Sequence, residues 1–128
     1  MLRQLLIALI LGLVLAPTAL AETVHGKVAK HGGLVAPTTG HHNVEVVATD
    51  GLLQVYLTDH DGGPEDVESA KATATVLSGG KTDQITLAPQ SGNLLEGTGD
   101  FKAGTGTVVV ITLTMPDHKP EQARVKLD

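Results

Sequence analysis

The sequence contains no cysteine and no tryptophan, and it has only one Phe and one Tyr. Without cysteine, the chain has no means of forming a disulfide, a thiolate metal site or a cysteine nucleophile. Because it is so poor in aromatic rings, it lacks the platforms on which proteins stack nucleic-acid bases. Its formal net charge of −5 opposes phosphate binding. The composition therefore argues against nucleic acid as a partner.

The N-terminus has the composition of an export signal. An almost unbroken apolar run covers residues 5–15, and residues 16–21 end in Ala-x-Ala, which is typical of a cleaved signal peptide. The run is shorter than the roughly 20 residues that a membrane-spanning helix needs. We therefore expect residues 1–21 to be removed and residues 22–128 to form one domain in the bacterial periplasm, with no membrane insertion after cleavage.

Short runs of β-favouring residues, separated by Gly and Pro turn signals, fill the rest of the chain. Seven such runs are 42–49, 52–59, 71–78, 83–89, 93–97, 107–115 and 121–127. This spacing predicts an all-β fold, and we interpret it as an immunoglobulin-like antiparallel β-sandwich of about seven strands. We also expect an edge strand over residues 24–30 and a turn or two of helix over residues 65–72, where Pro64 precedes the segment.

A β-hairpin is the most specific local prediction. Asp50-Gly51 stands between two alternating runs, which is the strongest short-range hairpin signal. A two-residue loop there puts Val46 opposite Val55, on a wholly apolar face, and Glu45 opposite Tyr56, on a mostly polar face that we expect to be solvated. The same register places His41 opposite His60 at the open end of the hairpin.

Four of the six histidines lie in this hairpin mouth or in the turn just upstream of it, namely His31, His41, His42 and His60. Imidazole suits the divalent ions of copper, zinc and nickel, and nearby carboxylates offset the charge of the cation. The opposing interpretation is that these histidines are solvated and incidental. His25 and His118 are expected at the surface, although His118 joins the cluster if its loop shares the open end of the hairpin.

Several segments together resemble a known family. These are His31-Gly32-Gly33, His42-x-x-Glu45, the run from Gly51 to Asp59, and Gly63-Pro64, while residues 72–76, 87–89, 109–116 and 123–124 are less specific. The chain is similar to the small His-containing domain at the N-terminus of periplasmic adaptor subunits of heavy-metal efflux pumps, which also occurs as a stand-alone exported protein. The resemblance implies a β-sandwich that binds transition-metal ions without catalysis, with an efflux adaptor as its partner.

The sequence analysis thus predicts a site for one divalent ion of copper, zinc or nickel. The resemblance carries over His31 and His42, with Glu45 behind them, while the hairpin register adds His41 and His60. We rank His42, His60 and His31 first and then His41, with Asp59 and Tyr56 as further supporting residues. Affinity should fall below about pH 6, because histidine protonates near a pKa of about 6.5.

Two other functions stay open at this point. One is a metal-free module that docks a partner protein through an exposed sheet edge. The other is an enzyme, which would need a pocket holding a base of perturbed pKa. We do not expect an enzyme, because neither a nucleophile motif nor a phosphate-binding loop occurs in the sequence.

Overall fold

The computed structural model describes residues 28–128, and this part of the chain is all β. Its eight strands are β1 (Leu34–Pro37), β2 (Asn43–Thr49), β3 (Leu52–Thr58), β4 (Lys71–Ser78), β5 (Lys81–Pro89), β6 (Leu94–Thr98), β7 (Val108–Thr114) and β8 (Glu121–Lys126). Residues 28–128 contain no helix, and thus none that could cross a membrane. The predicted signal peptide and His25 lie outside the described residues.

The strands form one antiparallel sheet that nearly closes on itself. Its order is β1-β2-β3-β6-β5-β4-β7-β8, so the first and last strands are the two edges. These two edge strands contact each other. Just beyond β1, the Thr39 amide donates to the carbonyl of Gln122 at 2.9 Å, and the Gln122 amide donates to Thr39 Oγ1 at 3.0 Å. The two ends of the sheet are therefore tied at one point.

The predicted hairpin register is confirmed. β2 and β3 pair from Asn43 opposite Thr58 to Thr49 opposite Leu52, with Val46 opposite Val55. Gly51 has a φ of 77°, a left-handed value that glycine adopts without a steric cost. Val46 and Val55 are at most 1% exposed, so the face expected to be apolar is the core face.

The polar face of this hairpin differs from the expectation, because part of it is covered. Glu45 is only 5% exposed and Asn43 only 7%. Glu45 is covered by the turn at residues 30–33, whose backbone amides donate to its carboxylate. This turn leads into β1, a strand that the sequence analysis did not predict, which pairs with β2 over Leu34–Pro37. β1 has only four residues, which follow a Gly-Gly pair and end in Pro37, so it is too short to show alternation.

Two further expectations were wrong. Residues 28–30, the described part of the predicted edge strand, are not in a strand, and residues 65–72 contain no helical turn. Val67 is fully buried, and its amide donates to the carbonyl of Gly92 at 3.2 Å. The Glu65 amide donates to the carbonyl of Leu57 at 3.1 Å. The amides of Glu65 and Val67 therefore donate to neighbouring elements, and the Ala70 amide donates to the carbonyl of Val67 at 2.9 Å in a single turn that does not continue as a helix.

Inward-facing side chains of the sheet form one apolar core. Its largest fully buried members are Leu53, Leu57, Leu95, Ile111 and Leu113. β8 contributes Ala123 and Val125, and the same alternation directs Glu121 toward the interior at the start of that strand. A carboxylate therefore occupies a core register where the two ends of the sheet meet.

Replacing a core leucine should cost far more stability than replacing an exposed one. Leu53→Ala removes a side chain that is 0% exposed, so we expect a loss of about 3 kcal/mol in the free energy of unfolding. The matched control is Leu77→Ala, because Leu77 is 41% exposed and should change stability by less than about 0.5 kcal/mol. Urea denaturation measures both, and equal losses would contradict the core assignment.

Candidate functional site

Glu121 is a buried carboxylate whose acceptor oxygens are satisfied by the turn between β1 and β2. It is 6% exposed. It accepts hydrogen bonds from Thr38 Oγ1 at 2.7 Å and from the His41 amide at 3.1 Å. A Cβ atom added at Gly40 would overlap the carboxylate. The turn therefore wraps closely around Glu121 and leaves no room for a side chain at position 40.

His42 lies between two carboxylates. Its Nδ1 is 2.8 Å from Glu121 Oε2, and its Nε2 is 3.1 Å from Glu65 Oε2. The His42 side chain is 10% exposed. It lies two residues before Val44, so it continues the core-facing side of β2 just beyond the end of the ladder. That position explains why His42 meets Glu121, which faces inward from β8.

The two carboxylates stabilise the charged form of His42. Burial alone lowers the pKa of His42, but the hydrogen bonds and charges of Glu121 and Glu65 outweigh it and hold this pKa above its usual range. Burial raises the pKa of Glu121, but the hydrogen bonds from His42 and Thr38 outweigh it, so this pKa lies below its usual range. The pair therefore favours imidazolium beside carboxylate.

A cavity of about 550 Å³ opens above His42. It is lined by the histidines 41, 42, 60 and 118 and by the carboxylates of Asp59, Glu65 and Glu121, with Lys119 also on its wall. The ring centroids of His42 and His118 are 6.5 Å apart, and the two rings are nearly perpendicular. The loop between β7 and β8 therefore does reach the open end of the hairpin.

His41 and His60 both line this cavity, although they are not strand partners. The β2–β3 ladder ends at Asn43 and Thr58. The His60 side chain is 81% exposed, and its Nδ1 is 4.0 Å from Asp61 Oδ1. Asp59 Oδ1 accepts hydrogen bonds from the amides of Asp61 and Gly63, both at 2.9 Å. Asp59 therefore shapes the turn that carries His60.

His31 lies in a different pocket, so the structure divides the predicted ligand set. Its ring stacks on Tyr56 with centroids 3.6 Å apart and planes within 4°, and its Nδ1 is 3.0 Å from Glu45 Oε1. This second pocket has a volume of about 170 Å³ and shares no lining residue with the cavity at His42. Glu45 and Tyr56 therefore support His31 and not His42.

Glu45 anchors the turn that carries His31. It accepts hydrogen bonds from the backbone amides of Lys30 at 2.9 Å, His31 at 2.7 Å and Gly33 at 2.9 Å. Burial raises the pKa of Glu45, but these bonds and the one from the His31 ring outweigh it and hold the pKa below its usual range. With so many donors on one carboxylate, Glu45 has a structural role.

The sequence analysis missed Glu65 and Glu121. Glu121 had a readable signal, because Glu121, Ala123 and Val125 alternate with charged or polar residues and a carboxylate in that register must face the core. Glu65 had no such signal. Pro64 forms a single bridge with Thr58, which brings residue 65 alongside the end of β3. This contact with the end of β3 leaves no pattern in the local sequence around residue 65.

The side chains as they stand do not form a complete metal site. Within residues 28–128, no group of three or more His, Asp or Glu side chains is arranged to hold an ion. Both ring nitrogens of His42 are engaged by carboxylates. An ion would therefore have to replace the contact between His42 Nε2 and Glu65, while Glu121 keeps its hold on Nδ1.

The stability of the metal-free protein should be greatest between about pH 4.5 and 6.5. A raised pKa of His42 contributes stability below its unfolded pKa of about 6.5, which is lost as pH rises through the folded value. The lowered pKa values of Glu45 and Glu121 contribute stability above about pH 4.5, which is lost as pH falls. Urea denaturation from pH 3.5 to 9 measures this profile, and His42→Asn should flatten its alkaline side.

Losing the charge of Glu45 should loosen the turn at residues 30–33 without changing the cavity at His42. In Glu45→Gln, an NH2 group replaces one carboxylate oxygen, and it cannot accept hydrogen bonds from the backbone amides. We expect a loss of about 2 kcal/mol in the free energy of unfolding. Proton NMR should show that the ring signals of His31 and Tyr56 shift while those of His42 and His118 stay. Shifts at His42 would contradict the separation of the two pockets.

The comparisons with known proteins do not place this chain in a family. Neither a protein-family model, nor a curated protein, nor a solved structure matches this chain. The function must therefore be argued from the residues of the cavity and from the chemistry that they support.

Proposed function

We propose that this protein binds a divalent transition-metal ion of copper, zinc or nickel in the cavity at His42. One observation carries the proposal. Four of the five histidines in residues 28–128 line one cavity, together with three carboxylates from different parts of the chain. Incidental surface histidines have no reason to gather in this way, whereas neutral imidazoles with nearby carboxylates suit these ions.

His42 is the anchored donor of the proposed site. Its Nδ1 donates to the buried Glu121, so Nε2 is the nitrogen that faces the cavity and binds the ion. A carboxylate behind a ligating histidine fixes the ring and strengthens it as a donor. Glu65, now 3.1 Å from Nε2, moves to bind the ion or to offset its charge. Further donors come from among His118, His60 and His41, which also line the cavity.

The available donors favour divalent ions over soft Cu(I). The sequence has no cysteine, and after removal of the signal peptide Met115 is its single methionine. Met115 is 8% exposed and packs in the core. Soft ions select thiolates and thioethers, whereas imidazole and carboxylate suit the divalent ions of copper, zinc and nickel.

The proposed role is that of a periplasmic accessory protein in metal efflux or homeostasis. We propose that residues 1–21 direct export and are removed, and that a periplasmic adaptor of an efflux pump is the partner. The resemblance at His31, His42 and the hairpin supports this role.

We also propose that the sheet is an immunoglobulin-like sandwich. The pairing of β5 supports this fold, because β5 pairs with β4 over Lys81–Leu87 and with β6 through Ala88 and Pro89. A strand that changes partners in this way connects the two layers of a sandwich.

Metal titration of matched histidine variants tests the proposed site. Calorimetry of the purified protein with Cu(II), Zn(II) and Ni(II) at pH 7.5 should show one ion per chain. His42→Ala and His118→Ala should weaken metal binding at least about tenfold, because each substitution removes an imidazole that binds the ion or orients another ligand. His31→Ala is the matched control and should bind within about twofold of the unsubstituted protein, because His31 lies in the other pocket. Circular dichroism establishes that each variant is folded.

Two outcomes would overturn the proposal. If the folded protein bound none of the three ions, the metal-free docking module would become the better interpretation, with β1 or β8 as the edge that accepts a partner strand. If His31→Ala abolished binding while His42→Ala preserved it, the ion would belong to the smaller pocket beside Tyr56.

A further inference from the structure

The cavity at His42 offers much more space than one ion requires. Its volume is about 550 Å³, whereas a cavity of about 10–15 Å³ already holds one water molecule. An ion bound at His42 Nε2 would therefore have open space on the side that faces away from the ring.

The donors around this space are unevenly held. His42 is 10% exposed and is fixed by Glu121, whereas the Glu65 side chain is 35% exposed and that of His60 is 81% exposed. His118 belongs to the loop between β7 and β8. A closed structural metal site surrounds the ion with four fixed protein ligands, while a site with fewer keeps a position for an outside ligand. This cavity has the second arrangement.

The charges of the wall select the kind of outside ligand. Asp59, Glu65 and Glu121 disfavour an anion, while Lys119 and the bound ion disfavour a further cation. A neutral donor fits both constraints. Among neutral donors, an imidazole nitrogen suits the divalent ions of copper, zinc and nickel.

We propose that the ion bound at His42 keeps one coordination position open to the cavity and accepts an imidazole from outside the chain there. The imidazole comes either from a free small molecule or from a histidine side chain of another chain. This inference rests on the proposed function and assigns to the same site a means of passing the ion on, because an incoming imidazole binds before the first ligands leave.

Copper spectroscopy tests the open position. The purified protein is loaded with one equivalent of Cu(II) and titrated with imidazole at pH 7.5, while visible absorption and electron paramagnetic resonance are recorded. We expect the visible band to move to shorter wavelength and the nitrogen hyperfine pattern to gain one nitrogen, with copper still bound after gel filtration. His31→Ala should give the same change, because His31 lies in the other pocket.

Sedimentation of the copper-loaded protein identifies the source of the imidazole. If a second copy donates it, a dimer with the same added nitrogen appears as the protein concentration rises, whereas a monomer at all concentrations leaves free imidazole or a different chain as the donor. Either result supports the open position. An unchanged spectrum with copper retained would overturn the inference, as would loss of copper without an intermediate. Failure of copper to bind at all would instead count against the proposed function.

Discussion

The Glu121 carboxylate is the group on which the architecture of the candidate site depends. It stands at the start of the last strand, faces the core, and binds the turn between the first two strands through Thr38, His41 and His42. A buried carboxylate that lost these donors would carry a large desolvation cost. Closure of the sheet and orientation of the His42 ring therefore have one common cause.

A second buried carboxylate, Glu45, also holds a loop and a histidine ring, on the other face of the hairpin. Glu45 collects three backbone amides and the His31 ring. Each of the two carboxylates thus holds a histidine by Nδ1 and accepts at least one backbone amide of the loop that carries this histidine. Glu45 lies on one face of β2, and Glu121 meets His42 on the opposite face. The two carboxylates therefore separate His31 from His42, although the sequence places these histidines close together.

The features that depend on the alternation of apolar and polar residues and on turn-forming residues were predictable from the sequence. The Asp50-Gly51 hairpin, its register and its buried face were all predictable, because a one-residue shift would have exposed Val46 and Val55. The positions of β1, Glu65 and His118 were not predictable. β1 is too short to show a pattern, and the other two reach the cavity only through contacts between distant parts of the chain. The division between His31 and His42 follows from the turn at residues 30–33, which leads into β1 and is held by Glu45.

The proposed metal function depends on which nitrogen of which histidine faces the cavity. Nitrogen NMR of the histidine rings during titration with Zn(II) measures this directly. The account predicts that Nε2 of His42 shifts as the ion binds, that Nδ1 of His42 keeps its proton toward Glu121, and that both nitrogens of His31 stay unchanged. Zinc-dependent shifts at His31 with none at His42 would contradict it.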